Sequence, residues 1–142
     1  MSHIMACRFC NIDDMKTRIV FEGRHCFVAL SNPRLMPGHL LVIPKRHVEK
    51  LSDLDPRECI EIFDTLSKYC DKVLKISKGY SIHQNYMPMI AESRTKVDHL
   101  HIHIWPRELD DELYMKSLKH QHDLFTDLAD KELNKYLTLF TS

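Results

Sequence analysis

The sequence predicts an α+β domain in which one long helix packs on a five-stranded antiparallel sheet and a C-terminal helical tail follows. Three observations support this class: short apolar segments separated by turn residues, one long segment with helical periodicity, and a short segment in which histidines alternate with apolar residues. The length of 142 residues suits one domain. We therefore expect a single domain over 1–142, with its core over 7–107 and a helical extension over 108–142.

Five segments have the composition of β-strands. The first two, Ile19–Gly23 and Cys26–Leu30, are joined by a predicted hairpin turn at Glu22–His25, which contains a glycine. A loop with two prolines and a glycine separates them from a compact apolar strand that stops at Pro44. The five predicted strands occupy 19–23, 26–30, 39–44, 80–85 and the part of 98–107 that precedes Pro106.

The long helix is predicted between Arg57 and Lys78, with Asp53 or Asp55 as its N-cap and Gly79 as its C-terminal cap. Its apolar residues recur at three- and four-residue steps and predict one buried stripe. These residues are Cys59, Ile62, Phe63, Leu66, Cys70, Val73 and Leu74. A terminal helix is expected to carry a second apolar face, made of Leu124, Phe125, Leu128, Leu133, Tyr136, Leu137 and Phe140.

The composition excludes several classes of function. Lys plus Arg and Asp plus Glu both number 20, so no net charge favours binding to nucleic acid or to a membrane surface. No apolar run approaches the roughly 20 residues of a membrane span. Five cysteines are an odd number, which suits a reducing compartment better than a disulfide framework. We therefore expect a cytoplasmic protein.

The histidine-rich segment indicates a functional site. Read as a strand, it places His99, His101 and His103 on one face and three apolar residues on the other. An imidazole acts as a nucleophile, as a general acid or base, or as a metal ligand. A hydrolytic zinc site is one alternative, although Asp98, the nearby carboxylate that could activate water, points to the opposite face. Histidines without a chemical role are the other alternative.

Two motifs resemble the histidine triad superfamily of nucleotide hydrolases and transferases. The segment HLHIHIWPR at 99–107 resembles the alternating histidine signature of that family, and PGHLLVIP at 37–44 resembles its Gly-His strand. The likeness extends over about 7–107. It implies a homodimer that binds a purine nucleotide similar to AMP.

The resemblance also assigns catalytic roles. His101 matches the nucleophile that attacks the α-phosphorus and forms a covalent nucleotidyl-histidine intermediate. His103 matches the residue that donates to the phosphate oxygens, and His39 matches the one that helps to hold the triad. His99 is the first histidine of the triad and joins the catalytic set unless a metal takes it.

Further residues match nucleotide-binding positions of the family. Asn32 lies near the ribose-binding position, and Asn85 matches a residue that contacts the phosphates. Phe9, Ile12 and Leu41 match the apolar residues that enclose the base, with ordinary core packing as the alternative.

The segment just before the triad departs from the family pattern. Thr95 replaces a glutamine, and Lys96 occupies the position of a hydroxyl residue that assists the leaving group. Arg94 and Lys96 either bind the extra phosphates of a dinucleoside polyphosphate or form a solvated basic loop.

A structural zinc site is also implied. Cys7 and Cys10 have the spacing of a zinc knuckle, but alone they supply only half of a tetrahedral site. In the zinc-bearing branch of the family the other ligands match His47 and His99. A redox dithiol and a pair of inert buried cysteines remain the alternatives.

The function expected from these features is hydrolysis at the α-phosphate of purine nucleoside phosphoramidates or dinucleoside polyphosphates. Two other functions stay open. One is nucleotidyl transfer to a phosphorylated acceptor, and the other is a non-catalytic, zinc-stabilised module that binds nucleotides or protein partners.

Overall fold

The computed structural model describes residues 7–142, and the chain divides after Asp111 into two compact units. The first unit has five strands, one α-helix and a 3-10 turn at Leu51–Asp53. Its elements are β1 (Arg18–Glu22), β2 (Cys26–Leu30), β3 (Leu40–Pro44), α1 (Pro56–Val73), β4 (Gly79–His83) and β5 (Ile102–Arg107). The second unit contains α2 (Glu112–Lys116), a 3-10 segment (Leu118–Leu124) and α3 (Asp130–Thr141).

The sheet confirms the predicted fold class. Its strand order is β1-β2-β3-β5-β4, and every neighbouring pair is antiparallel. Strand β3 pairs directly with β5, and Leu41 lies opposite His103 in the register. The Gly-His segment and the histidine segment, about 60 residues apart in the sequence, therefore lie side by side in the sheet.

Helix α1 begins with a complete capping box. The side chain of Asp55 accepts a hydrogen bond from the backbone N–H of Glu58, and the Glu58 carboxylate accepts one from the N–H of Asp55. Arg46, in the loop after β3, donates to the same buried carboxylate at 2.7 Å. The start of α1 is thus tied to the end of the central strand.

The C-terminal end of α1 differs from the prediction. The helix ends at Val73, with Leu74 as its C-cap, and Gly79 is the first residue of β4 rather than a helix cap. The single Ser77 hydroxyl proton can be donated to the carbonyl oxygen of Gly79 at 2.8 Å or to that of Val73 at 3.1 Å, and such side-chain bonds compete with the next helical turn. The helix therefore ends five residues before the predicted end at Lys78.

The buried stripe of α1 is narrower than predicted. Ile62, Cys70 and Val73 are buried against the sheet, whereas Phe63 is 75% exposed and Leu74 is 45% exposed. Successive residues of a helix are rotated by about 100°, so residues next to the buried row turn towards solvent. The core between α1 and the sheet contains residues of both. Its buried members are Cys26, Val28, Leu40, Val42, Val48, Ile62, Cys70, Val73, Leu100, Ile102 and Ile104.

Strand β5 begins later than predicted. It starts at Ile102, so His99 and His101 precede the regular ladder. The N–H of Leu100 instead donates to the carbonyl of Val48, in the loop that follows β3. This bond keeps the chain extended, and the apolar residues at 100, 102 and 104 remain buried in one core.

The second unit carries only part of the predicted apolar helix. Leu133, Tyr136, Leu137 and Phe140 lie on α3, and the rings of Tyr136 and Phe140 stack with centroids 6.0 Å apart. The other predicted members, Leu124, Phe125 and Leu128, precede α3, because the short 3-10 segment interrupts the pattern. No helix within residues 7–142 is long and apolar enough to cross a membrane.

Candidate functional site

A cavity of about 620 Å³ opens over the histidine face of β5. Its wall is formed by the loop before β1, the end of β2, the loop that leads into β3 and the start of β3. The end of β4, the loop before the histidine segment and the histidine segment itself complete the wall. The residues proposed from the sequence that line it are Phe9, Asn32, His39, Leu41, Asn85, Thr95, His101 and His103. The fold thus brings together most of the predicted nucleotide site.

Three of the residues proposed for catalysis or nucleotide binding do not line this cavity. Ile12 is partly buried and packs against the apolar cluster that contains Phe9 and Leu41. Lys96 forms an ion pair with Asp98, and with His99 it lines a smaller adjoining cavity of about 260 Å³. The structure does not place the Lys96 ammonium on the wall of the larger cavity because this local partner holds it elsewhere.

The tautomer of His101 is fixed by a backbone carbonyl. Its Nδ1 lies 2.7 Å from the carbonyl oxygen of His99, and a carbonyl oxygen only accepts hydrogen bonds. The ring proton therefore resides on Nδ1, which leaves a lone pair on Nε2. Burial lowers the pKa of His101, and the positive charge of Arg8 lowers it further. At neutral pH the ring is uncharged, the form required of a nucleophile.

His39 and His103 form a second oriented pair. The backbone N–H of Leu35 donates to His39 Nδ1 at 3.0 Å, which places the His39 proton on Nε2. That nitrogen lies 2.8 Å from His103 Nδ1, so His39 donates and His103 carries its own proton on Nε2. Burial lowers the pKa of His39 to about 4 and that of His103 to about 3, with His101 adding to both shifts. Both rings are neutral, and His103 retains an N–H that can donate to a ligand.

Trp105 competes for the same nitrogen of His39. Its indole Nε1 lies 3.1 Å from His39 Nε2, and an indole N–H only donates. A neutral imidazole has one acceptor nitrogen, so His39 cannot accept from both Leu35 and Trp105. The shorter contacts, to Leu35 and His103, favour the tautomer with the proton on Nε2.

Sequence reasoning missed Trp105 and His83. The two rings stack with centroids 4.8 Å apart and planes 19° apart, and both residues line the cavity. His83 Nε2 also lies 2.8 Å from the Oδ1 of Asn85, so the histidine donates and orients the amide. The signal for Trp105 was present, because it continues the period-two row of the histidines.

The cavity wall is rich in positive charge. Four cationic residues line it, and among residues 7–142 the only carboxylate on its wall is Asp13. The Arg8 Nη2 donates to the carbonyl oxygen of Arg94 at 2.7 Å, which links the N-terminal segment to the loop before the triad. The four cations are Arg8, Lys16, Arg34 and Arg94.

A separate cluster combines the proposed metal ligands Cys7, Cys10, His47 and His99. One ligand atom from each lies within 4.8 Å of the others. The His99 Nδ1 is 3.3 and 3.4 Å from the two sulfurs and 3.2 Å from His47 Nδ1, and the second sulfur is 3.2 Å from His47 Nδ1. Tetrahedral zinc would set about 3.6 Å between sulfur and nitrogen and about 3.3 Å between nitrogens. The donor set and its spacing therefore fit a zinc ion.

The surroundings of the cluster also suit a metal ligand set. His99 is buried, and its Nε2–H donates to the carbonyl oxygen of Pro44 at 2.8 Å, so its Nδ1 lone pair faces the cysteines. Metal-bound histidines are typically oriented by such a bond from the other ring nitrogen. Burial and the neighbouring Cys7 raise the pKa of Cys10 to about 11. Ionised thiolates here would therefore need a bound cation to stabilise them.

Comparison with known proteins matches most of the chain to one domain family. The sequence profile of the HIT domain matches residues 13–110. The chain is 32% identical over 142 aligned positions to the bifunctional bis(5'-adenosyl)-triphosphatase/adenylylsulfatase FHIT of Arabidopsis thaliana, covering 87% of this chain and 78% of that protein.

Solved structures share the fold. A HIT family protein from Bacillus anthracis has a TM-score of 0.71 at 24% identity and covers 95% of this chain and 94% of its own. A zinc-bound histidine triad family protein from Mycobacterium smegmatis has a TM-score of 0.62 at 26% identity and covers 78% of this chain and 81% of its own.

Proposed function

Because the chain belongs to the HIT domain family of nucleotide hydrolases and transferases, we propose that it hydrolyses purine nucleotides at the α-phosphate. The substrates in this proposal are nucleoside phosphoramidates and dinucleoside polyphosphates. The observation that carries it is the bond from His101 Nδ1 to the His99 carbonyl, which leaves the Nε2 lone pair available beside a nucleotide-sized cavity.

The first step is a displacement at phosphorus. His101 Nε2 forms a bond to the α-phosphorus, and the bond from that phosphorus to the leaving oxygen or nitrogen breaks, with the electron pair departing on the leaving group. The His103 Nε2–H donates to a non-bridging oxygen, where negative charge accumulates in the transition state. A leaving amine takes up a proton from solvent, whereas a leaving phosphate departs as an anion.

The second step is hydrolysis of the nucleotidyl-histidine. A water oxygen bonds to phosphorus, the phosphorus–nitrogen bond breaks, and the electron pair returns to His101 Nε2. The products are the nucleoside monophosphate and the original neutral ring, and the water proton leaves to solvent. Two displacements of moderate barrier thus replace one difficult displacement.

The nucleotide orientation in this proposal follows from the cavity wall. Phe9 and Leu41 provide apolar surface for the base, and Asn32 offers an amide to the ribose. Asn85, oriented by His83, lies on the same wall as His101 and His103 and is suited to the phosphates. Thr95 also lines the cavity and in this proposal contacts the leaving group.

The proposed metal is a structural zinc ion held by Cys7, Cys10, His47 and His99. When bound, zinc would stabilise the two thiolates and fix the position of His99. The carbonyl of that same residue orients the ring of His101. By fixing the His99 backbone, the cluster would therefore help to position the proposed nucleophile. With His99 in this role, His101, His103 and His39 carry the chemistry.

The homodimer also remains a proposal. Strand β4 is an edge strand of the sheet, and its Tyr80 and Ile82 are 44% and 49% exposed. An exposed apolar edge strand is suited to pairing with a second copy of the chain.

The experiment compares wild type with His101→Ala and with His122→Ala, a matched control from the second unit. The substrates are an AMP-amine phosphoramidate and a diadenosine polyphosphate, and the readout is release of AMP. His101→Ala should abolish release, and His122→Ala should leave it unchanged. Undiminished release by His101→Ala would refute the nucleophile assignment.

The same assay separates the alternatives. Faster loss of substrate on addition of a phosphorylated acceptor, with nucleotide found on that acceptor, would identify a transferase. Thermal stabilisation by AMP without turnover of any substrate would identify a binding module.

A further inference from the structure

The cavity carries more positive charge than a single phosphate requires. Arg8, Lys16, Arg34 and Arg94 line it, whereas Asp13 is the only carboxylate on its wall among residues 7–142, and the charge of Glu92 also acts on Arg8. The neutral imidazoles already offer a donor to the α-phosphate through His103. Cations that share a cavity wall repel each other unless anions compensate them, so this excess of cations over carboxylates is informative.

Arg8 and Arg94 stand out because they are joined to each other beside the nucleophile. The Arg8 Nη2 donates to the Arg94 carbonyl at 2.7 Å, which uses one edge of the guanidinium and leaves its other N–H groups available. Phe9, next to Arg8, has its ring 5.3 Å from that of His101. Arg94 precedes Thr95, which lines the cavity together with His101. The charge of Arg8 also acts on His101, so both arginines belong to the part of the wall near the proposed nucleophile.

Lys96 is a neighbouring cation, and the sequence also predicts that it could bind the extra phosphates of a dinucleoside polyphosphate. Its ammonium is paired with Asp98, and the residue lines only the smaller cavity. The charge of Lys96 is thus already compensated, and it is held away from the larger cavity. Arg8, which lies between the two proposed metal ligands Cys7 and Cys10 in the sequence, takes its place.

We infer that Arg8 and Arg94 form a subsite for the phosphates beyond the scissile bond, which makes a polyphosphate leaving group preferred over an amine. This inference rests on the proposed function and narrows its substrate class to dinucleoside polyphosphates. Guanidinium groups bind phosphate oxygens through paired N–H donors, and each further phosphate adds negative charge for them to contact. A neutral or cationic amine leaving group gains nothing from these two residues.

The test measures kcat/KM for diadenosine tetraphosphate and for an AMP-amine phosphoramidate. The variants are Arg8→Gln, Arg94→Gln, the double variant, and Arg57→Gln as a control. Arg57 is exposed in the first turn of α1 and lines neither cavity, so its replacement removes the same charge elsewhere. Thermal unfolding and metal content are recorded for every variant, because Arg8 lies beside Cys7.

The two substrates should respond differently. Each single variant should lower kcat/KM for the tetraphosphate roughly tenfold, which corresponds to about one charge-assisted hydrogen bond. The double variant should lose roughly 30- to 100-fold, whereas the phosphoramidate should change less than about threefold. Arg8→Lys, which keeps the charge, should recover part of the loss. The loss should also diminish at high salt, because the interaction is electrostatic.

Two outcomes would overturn the inference while leaving the proposed function intact. They are an equal loss for both substrates and unchanged values for both. Absence of turnover by wild type would instead contradict the proposed function. Calorimetric titration with intact diadenosine tetraphosphate and with AMP would then decide the inference alone: it stands if the double variant loses the preference for the tetraphosphate, and it is wrong if the preference persists.

Discussion

The loss of hydrolysis in acid is expected at a pH below the ordinary pKa of histidine. Burial lowers the pKa of His101, and it lowers that of His39 to about 4 and that of His103 to about 3. For His39, a shift of about 2.5 units from 6.5 corresponds to about 3 kcal/mol in favour of the neutral ring. At pH 5.5 such a ring is about 97% neutral, whereas an unperturbed ring is only about 10% neutral.

The assay is a profile of kcat/KM against pH with diadenosine tetraphosphate, whose phosphates do not titrate between pH 4 and 8. The acid limb should lie below pH 6.5, because the pKa of each of the three rings is lowered from the ordinary value of histidine. Metal content is measured at each pH, since acid also removes a metal by protonating its ligands. An acid limb near pH 6.5 with metal retained would refute the assignment of buried, neutral catalytic rings.

The same shifts predict the pH dependence of folding. Between pH 4 and 6.5 the unfolded chain binds more protons at His39 and His103 than the folded chain does, so the free energy of unfolding rises with pH over that interval. The destabilisation caused by proton binding to these two rings in the unfolded chain is therefore absent above about pH 6.5. It increases as the pH falls towards 4. Denaturant titrations at pH 7.0 and 5.0 measure this change, and equal values would contradict it.

Three substitutions test other parts of the structure. Cys10→Ser should remove the bound zinc and lower the melting temperature, whereas Cys59→Ser, at an exposed cysteine, should change neither; equal zinc content in both variants would contradict the metal site. Phe9→Ala should raise KM roughly tenfold through the loss of base stacking, and an unchanged KM would place the base elsewhere. Asp55→Ala should cost about 1 kcal/mol of unfolding free energy through loss of the N-cap of α1, as measured by denaturant titration, with no effect on kcat.

The fold was predictable because its elements carry local signals. Alternation, turn residues and one helical period identified the strands and α1, and the observed sheet is the predicted five-stranded antiparallel one. The errors lie at the ends of elements. There, contacts between residues distant in sequence or competing side-chain hydrogen bonds determine where a helix or strand begins and ends. The Ser77 hydroxyl ends α1 early, and the bond from Leu100 to Val48 replaces the first part of the β5 ladder.

The site was predictable where its residues follow the strand period. The alternation that identified His101 and His103 also placed Trp105 on their face. Arg8 and His83 carry no such pattern, because their positions depend on how the first loop and the end of β4 pack around the cavity. The cluster around His99 was inferable only by combining a two-cysteine spacing with a family resemblance, since its ligands come from three separate segments.

The stereochemical course at the α-phosphorus tests the nucleophilic role of His101 most directly. The substrate is a diadenosine polyphosphate with a chiral phosphorothioate at that position, hydrolysed in isotopically labelled water. Two successive in-line displacements, the first by His101 Nε2 and the second by water, predict overall retention of configuration. Inversion would show a single direct attack by water and would contradict the covalent mechanism.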